Sequence, residues 1–337
     1  MRVQRQLPRG IGNYLGGAAV RAIVLLIVLL LLAAEDRGGV AGPARRLSIA
    51  TGASGSVYFV LGAGLARLLS HSLPGVHATA EVTPGGVANM HLLAGGRADL
   101  AFAPYDTAYE AWRGVGEFTG KAVPLRILAP LYDNYHQLVT LEETGIRRLQ
   151  DLRGRRVSVG GPASATEFTT LRILQAAGLH PDRDIHKERL TVVPASDALR
   201  DRKIDAFFFQ SGVPTPAILE LASLARIRLV PLEDVLSPLR ARYGELYFRI
   251  VISKVVYPGM TEDVPVVGVR NLLVVHRTFL EDLAYAIVRL IFERRSELEA
   301  VHREARGISL LRVRAGEAIP FHPGAVRYFR ERGVPGF

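Results

Sequence analysis

Cysteine is missing from this chain of 337 residues. Its absence excludes disulfides, thiolate nucleophiles, Cys-ligated metals and lipid attachment at an N-terminal cysteine. It does not identify a compartment, because export permits disulfides without requiring them. A dense block of basic residues interleaved with aromatics is missing too. The formal net charge is +10, but the arginines are scattered along the chain, so the charge does not indicate nucleic-acid binding.

Catalytic and metal-binding signatures are also scarce. The sequence has no G-x-S-x-G elbow, and the loop at residues 52–55 lacks the lysine of a phosphate-binding loop. His71 and His77 are six residues apart, as are His180 and His186, whereas paired helical metal ligands are spaced by four. The sequence therefore predicts a protein that is not an enzyme and that has no cofactor and no metal. An enzyme using a serine nucleophile is the alternative, and it would need a base nearby.

One apolar run stands out near the N-terminus. Residues 22–34 are only Ala, Ile, Val and Leu, and Arg2, Arg5 and Arg9 precede them. A run of 13 residues is short for a membrane span, which needs about 20, and matches the core of an export signal. Residues 1–42 are therefore predicted to be a signal peptide, with an uncleaved anchor as the alternative. In both cases the rest of the chain is expected in the periplasm or another extracytoplasmic space.

The remaining chain contains one structural unit twice. Each copy reads strand, Gly/Ser-rich loop, helix, strand, short helix, strand, beginning at residues 47–51 and again at 156–160. Asp99 and Asp205 are 106 residues apart and each stands directly before an apolar strand. With 49% hydrophobic residues, the chain can bury two cores. Two similar α/β lobes are therefore predicted.

The order of the later elements predicts how the lobes are joined. An apolar strand at 125–131 runs toward residues 135–139 and would cross from one lobe to the other. After the second unit we expect helices near 214–225 and 231–242, strands at 248–253 and 264–275, and a long helix from 278 to 301. Chain that returns after a complete second lobe would make the first lobe discontinuous. We predict lobe 1 as residues 43–133 plus 262–337 and lobe 2 as 134–261, with a hinge and an interlobe cleft.

Three small-residue loops before helices mark a candidate binding site. They are residues 52–56, 83–86 and 161–166. In an open α/β sheet, ligands bind where strands end and helices begin, and the free N–H groups of helix N-termini attract anions. Helix capping alone is the alternative for any one loop. Two loops come from one lobe and one from the other, so the sequence predicts a small anionic ligand bridging the cleft.

Several side chains near these loops have two interpretations. Tyr58 and Tyr105 would close over a ligand or only pack. Glu167 would contact the ligand or return to its own helix in a capping box with Ser164. Asp106 and Asp133 are interpreted as surface or hinge acids.

The motifs in this order resemble the TAXI family, the extracytoplasmic solute receptors of TRAP transporters. The resemblance runs over about residues 47–332 and is carried by ATGASGSVY (50–58), EVTPGGVAN (81–89), LAGGRADLAF (93–102), VGGPASATE (159–167), FQSGVPTPA (209–217), YPG (257–259), DVPVVG (263–268) and HPGAVRYF (322–329). The chain departs from that family at Pro104-Tyr105-Asp106, where Gln-Ser-Asp is common, and at Ala53 and Ala165, which replace common glycines.

The resemblance implies a two-lobed periplasmic-binding-protein type II fold. It also implies a carboxylate ligand such as glutamate, glutamine or 2-oxoglutarate, and delivery to a TRAP permease driven by an ion gradient. A membrane-tethered sensing module that reports to a signalling partner is the alternative. Together, the residues and the resemblance give these candidate ligand contacts: Ser54, Val57, Tyr58, Thr83, Gly86, Asn89, Tyr105, Ser164, Thr166, Glu167, Gln210, Ser211 and Gly212.

Overall fold

The computed structural model describes residues 45–337. The predicted signal or anchor segment, residues 1–42, lies outside the described residues. Within 45–337, none of the helices has both the length and the apolar character needed to cross a bilayer.

A single mixed sheet of ten strands organises the described chain. Eight strands follow the order β2-β1-β3-β10-β4-β7-β5-β6, while β8 pairs with β4 and β9 with β10. The strands are β1 (Arg45–Ala50), β2 (Val76–Glu81), β3 (Leu100–Pro104), β4 (Leu125–Leu141), β5 (Arg156–Ser158), β6 (His186–Glu188), β7 (Ala206–Ser211), β8 (Ile227–Val230), β9 (Phe248–Ile252) and β10 (Val264–His276).

Helices cover the sheet and connect its strands. They are α1 (Val57–Ser72), α2 (Gly86–Ala94), α3 (Tyr105–Arg113), α4 (Ala165–Ala176), α5 (Val192–Arg200), α6 (Pro216–Leu224), α7 (Leu236–Tyr243), α8 (Glu281–Glu293), α9 (Arg295–Val301) and α10 (Pro323–Glu331). Short 3₁₀ turns lie between several of them, including Gly244–Leu246 and Arg303–Gly307.

The repeated unit predicted from the sequence is confirmed. In the first unit, β1 pairs in parallel with both β2 and β3, and α1 and α2 connect them. In the second unit, β5 pairs in parallel with both β6 and β7, and α4 and α5 connect them. The two aspartates have the same role. Asp99 Oδ2 accepts from Ser48 N at 2.9 Å, and Asp205 Oδ2 accepts from Arg156 N at 2.8 Å.

Two long antiparallel strands join the units. The predicted crossing segment is one strand of 17 residues, β4, and it pairs with the 13-residue β10. β10 also pairs with β3 of the first unit, while β4 pairs with β7 of the second. The α/β class and the two-lobed arrangement around crossing strands are therefore as predicted. The exact lobe boundaries, after residues 133 and 261, stay predictions.

The buried core is continuous across the crossing strands. One cluster lies on one face of the first unit, where α1, α8 and α10 cover β1 and β3. A second, larger cluster begins under α2 and α3 on the other face and runs through β4 and β10 into the second unit. The two units are therefore packed against each other in this structure.

The predicted elements after the second unit differ in detail from the structure. The expected helix 278–301 is two helices, α8 and α9, because the backbone leaves helical geometry at Arg294 (φ −107°, ψ 24°). Neither glycine nor proline marks that break in the sequence. The expected helix 231–242 begins with a 3₁₀ turn at Glu233–Val235 before α7.

Candidate functional site

A narrow cavity of about 30 Å³ lies between the two units. Its volume is roughly that of one water molecule, so the units are in near contact around it. The lining residues come from loops of both units and from β4 and β7: Gly52, Ala53, Ser56, Tyr58, Pro84, Gly85, Gly86, Asn134, Gly161, Ser164, Ala165, Thr166, Thr191, Phe209, Gln210 and Ser211. Among the described residues, none of these side chains is an Asp, Glu, Lys or Arg.

The N-terminus of α1 forms one wall. Ser56 is the N-cap residue, and its Oγ accepts from Phe59 N at 3.3 Å. Glycine is needed at position 52 because a Cβ there would lie 2.9 Å from Ser56 Oγ. The next amide, Val57 N, donates across the cavity to Ser211 Oγ at 3.3 Å. This helix end thus already contacts the second unit.

The N-terminus of α2 faces it without a capping side chain. Its N-cap residue is Gly85, at φ 116°, a conformation that residues with a Cβ rarely adopt. Ala88 N, one of the free amides of this helix end, donates to Ala163 O of the second unit at 3.0 Å. A backbone carbonyl from the opposite unit therefore occupies a position suited to an anion.

The N-terminus of α4 supplies that carbonyl from the preceding loop. Ser164 caps the helix by accepting from Glu167 N at 3.0 Å. Ala163 sits at φ 58°, the left-handed region that costs a non-glycine residue about 1–2 kcal/mol. The strained residue is the one whose carbonyl reaches Ala88 N.

A fourth helix end, not predicted from the sequence, completes the walls. Thr191 is the N-cap residue of α5 and lines the cavity, and its side chain makes no capping bond. Each unit therefore directs two helix N-termini at the same small space. Helix N-termini carry partial positive charge from aligned peptide dipoles, so the cavity favours a negatively charged group although it has no basic side chain.

Neutral hydrogen-bonding groups form the floor. The Tyr58 hydroxyl donates to Asn271 Oδ1 and accepts from Asn134 Nδ2 at 3.2 Å. Burial raises the pKa of Tyr58 well above its ordinary value, so the phenol stays protonated. Gln210 Oε1 is buried and, among residues 45–337, has no hydrogen-bond partner. Rotating that side-chain amide would present its NH₂ to a ligand.

Six of the thirteen candidate contacts line this cavity, two from the first unit and four from the second: Tyr58, Gly86, Ser164, Thr166, Gln210 and Ser211. The other seven do not: Ser54, Val57, Thr83, Asn89, Tyr105, Glu167 and Gly212. Ser54 is exposed on the first loop, whereas Val57 is buried and contributes only its backbone amide.

Thr83 and Asn89 hold the first unit together. Asn89 is fully buried, and its Nδ2 donates to Ala50 O, Thr51 O and Phe102 O at 3.3, 2.7 and 2.8 Å. Its Oδ1 accepts from the Thr83 hydroxyl at 2.6 Å. Both polar ends of Asn89 are therefore used within the unit.

The remaining three candidates, Glu167, Gly212 and Tyr105, also make their contacts outside the cavity. Glu167 Oε2 accepts from Ala163 N at 3.1 Å and from Arg189 at 2.9 Å, so the side chain returns to the start of its own helix, but to Ala163 and not to the N-cap residue Ser164 as in the expected capping box. A Cβ at Gly212 would meet Glu304 and Tyr132 at 2.8 and 2.9 Å, outside the cavity. Tyr105 lines a different pocket.

Ser56 lies in the predicted loop 52–56 but is not among the thirteen candidate contacts, and Thr191, Asn134 and Phe209 were not predicted at all. Thr191 could have been found by aligning the units, because it stands before the short helix as Gly85 does. Asn134 and Phe209 carry no local signal, since strand pairing alone brings them to the cavity.

Ala53 and Ala165, which replace common glycines of the TAXI family, both line the cavity. A Cβ at Gly86 would lie 2.9 Å from the Cβ of Ala165. The methyl group of Ala165 therefore narrows the cavity beside Gly86.

A buried polar cluster connects the units beside the cavity. Asp106 is fully buried, so its interpretation as a surface acid is wrong. It accepts from Thr169 Oγ1 at 3.0 Å and from the Tyr247 hydroxyl at 2.9 Å. Arg172 donates to that hydroxyl at 2.9 Å and pairs with Glu110. Asp133 pairs with Arg312 instead.

Several solved structures are similar to the described chain. One is the periplasmic aliphatic sulphonate binding protein of Escherichia coli, with a TM-score of 0.43 and 16% identity, covering 86% of this chain and 79% of that one. Another is the alkanesulfonate-binding protein of Xanthomonas axonopodis pv. citri, with a TM-score of 0.45 and 18% identity. The match covers 86% of this chain and 84% of that one. A putative L-cystine ABC transporter of Listeria monocytogenes has a TM-score of 0.48 and 12% identity. The match covers 78% of this chain and 96% of that one.

The sequence as a whole gives the assignment. A model of the NMT1-like family matches residues 49–333, which include both units, the crossing strands and α10. The chain belongs to the NMT1-like family.

Proposed function

We propose that this protein is an extracytoplasmic solute receptor, not an enzyme, that binds a small carboxylate between its two units. The observation that carries the proposal is the convergence of four helix N-termini, two from each unit, on one cavity. Such ends bind anions without a basic side chain. The family assignment and the similarity in order and spacing to TAXI receptors support the same function.

Ligand binding requires the units to separate first. A cavity of about 30 Å³ has room for one water molecule and not for a five-carbon acid. Separation would break the bonds from Ala88 N to Ala163 O and from Val57 N to Ser211 Oγ. The ligand carboxylate would then accept from these same amides, and a charged acceptor bonds more strongly than a carbonyl or hydroxyl.

The polarity of the walls favours a ligand without an ammonium group. An ammonium close to positive helix ends is repelled, at about 0.3–1 kcal/mol for each nearby end. Among the proposed ligands, 2-oxoglutarate is therefore expected to bind about two- to fivefold more tightly than glutamate. The receptor would deliver this ligand to a TRAP-type permease driven by an ion gradient.

Calorimetric titration of the full-length protein tests the proposal. We expect binding of 2-oxoglutarate, weaker binding of glutamate and glutamine, and none of glucose. Gln210→Met should weaken binding about tenfold, since a hydrogen bond to a charged group is worth ~1.5 kcal/mol or more. Ser54→Ala is the matched control, because Ser54 is exposed and outside the cavity. Binding of glucose alone, lost in Gln210→Met, would contradict a carboxylate receptor.

The mature N-terminus distinguishes a released receptor from the tethered sensing module. N-terminal sequencing of the exported protein should give a start near residue 43. A start at residue 1 would favour the sensing module instead.

A further inference from the structure

A second cavity, of about 440 Å³, shares no lining residue with the first. Small-molecule sites commonly enclose ~300–1,000 Å³, so this space has the size of a ligand pocket in the present conformation. Tyr105 and Tyr109 on α3 form one wall, and Tyr243 and Phe248, at the end of α7 and the start of β9, form another. We call it the aromatic pocket.

The aromatic side chains provide flat apolar surfaces. The rings of Tyr105 and Tyr109 are nearly parallel, at 15°, with centroids 6.5 Å apart. The Phe248 ring lies directly on the backbone of β10, because a Cβ at Gly268 would be 2.5 Å from Phe248 Cε2. Aromatic rings pack best against other rings, in offset or edge-on arrangements. The walls therefore suit a planar ring better than an aliphatic chain.

An ion pair forms the polar end of the pocket. Arg270 Nη1 donates to Glu317 Oε1 at 2.6 Å. A guanidinium has five N–H donors and a carboxylate about four acceptor sites, so both groups have capacity left for a ligand. Tyr105 lies against the same carboxylate, and burial together with that charge raises the pKa of Tyr105 to about 12. Its phenol is therefore neutral, and the pocket presents a donor and an acceptor side by side.

The charges around the pocket are already balanced. Arg270 and Glu317 neutralise each other, and their side chains are 34% and 16% exposed. Glu245 is 84% exposed and lies 3.5 Å from Arg240, so it faces solvent. A charged ligand would be attracted by one partner of the Arg270–Glu317 pair and repelled by the other. A neutral ligand with adjacent donor and acceptor would bind to both without breaking it.

We propose that the aromatic pocket binds an uncharged planar aromatic compound bearing an amide-type group, whose N–H donates to Glu317 and whose carbonyl accepts from Arg270. The ring would pack against Tyr109 and Phe248. This site is distinct from the carboxylate site, since the two cavities have no residue in common.

A series of four probes tests the proposed chemistry on the full-length protein by saturation-transfer NMR and titration. Benzamide, benzoate and benzamidine share a ring and differ in charge, while cyclohexanecarboxamide keeps the amide and lacks the aromatic ring. Benzamide should bind most tightly. Cyclohexanecarboxamide should bind about two- to tenfold more weakly, the range reported for a ring pair. Equal or tighter binding of either charged probe, or of the saturated amide, would overturn the proposal.

Variants locate the binding site. Tyr109→Leu keeps an apolar side chain without the ring and should weaken benzamide binding at least about twofold. Arg270→Met should abolish the preference for benzamide over benzene. Tyr285→Ala, on α8 outside the pocket, and Gln210→Met, in the other cavity, should leave benzamide binding unchanged. Thermal unfolding of each variant checks that it is folded. Loss of benzamide binding in Gln210→Met, with Tyr109→Leu unaffected, would place benzamide in the interunit cavity and refute this site.

Discussion

The two units have the same topology but different internal supports. In both, a serine caps the first helix, and an aspartate before the third strand accepts from an amide of the first strand. The two units differ at the fourth position of their second helix. The first unit has the buried Asn89 there, and the second has the buried Ala195. Both units therefore share the features that direct helix ends at the cavity. The buried hydrogen bonds of Asn89 are a feature of the first unit that the second lacks at the matching position.

The largest expected effect comes from making the first unit resemble the second at this position. Asn89→Ala would leave three buried carbonyls without their donor, and an unsatisfied buried group costs about 1–3 kcal/mol. We expect a loss of about 3 kcal/mol or more in the free energy of unfolding, measured by urea denaturation. Ala195→Ser, on the second unit, is the companion variant and should cost less. Equal losses would mean that Asn89 does not distinguish the units.

Lowering the pH should destabilise the second unit before it destabilises the first. His136 of β4 is buried against Phe208 and Thr170, and burial lowers its pKa to about 3. A base whose folded pKa is depressed stabilises the fold above its unfolded pKa of about 6.5, and that stability is lost as the pH falls toward 3. Its contribution should fall by about 1.4 kcal/mol for each pH unit below 6.5.

The matching contacts of the first unit with the crossing strands, from Tyr58 to Asn134 and Asn271, do not titrate in acid. His136→Gln should therefore flatten the decline in stability between pH 6.5 and 4.5. Hydrogen exchange at those pH values should show α4 and β7 losing protection earlier than α1 and β1. Simultaneous loss in both units would contradict this order.

A smaller effect compares the two aspartates. Asp99→Ala and Asp205→Ala each remove one strand amide's acceptor, at about 1–2 kcal/mol. Asp205 also pairs with Arg156 at 2.7 Å, on a half-exposed surface, and such pairs add up to about 1 kcal/mol. Asp205→Ala should therefore be the more destabilising, by urea denaturation, and raising the salt concentration should reduce the difference.

The smallest effect concerns the two caps. Ser56→Ala and Ser164→Ala should each cost about 1 kcal/mol, the usual value for an N-cap serine. Because both serines accept from the third residue of their helix, the thermal shifts should be nearly equal. A cost for one serine at least twice that for the other would show that the caps are not equivalent.

The repeat and the crossing strands could be predicted from the sequence because periodicity and the paired aspartates are local signals. Helix N-termini could be predicted for the same reason, and they account for Gly86, Ser164 and Thr166 at the cavity. Polar residues within those segments could not be assigned correctly. Asn89 and Glu167 satisfy their own unit, and only the folded positions of Ala50, Phe102 and Arg189 show that.

Contacts between distant segments were beyond prediction. Asp106 follows β3 as a surface acid would, yet α4 and Tyr247 cover it completely. Tyr105 stands one residue before it and faces the aromatic pocket with residues 317 and 318 of the C-terminal segment. No spacing rule relates residues that are more than 200 positions apart, so this side of the molecule had no signal in the sequence.

If the proposed carboxylate binds Ala88 N, it must displace Ala163 O, so a carbonyl of the protein competes with the ligand for this amide. When ligand binds only the separated form, the apparent dissociation constant equals the intrinsic one divided by the fraction of molecules that are separated. If one molecule in a hundred were separated, roughly a hundredfold of intrinsic affinity would be hidden. Selection among acids would then begin with the ability to replace a peptide carbonyl. A membrane partner that recognised closure alone would also meet closed molecules without cargo, so productive delivery would depend on telling the two closed forms apart.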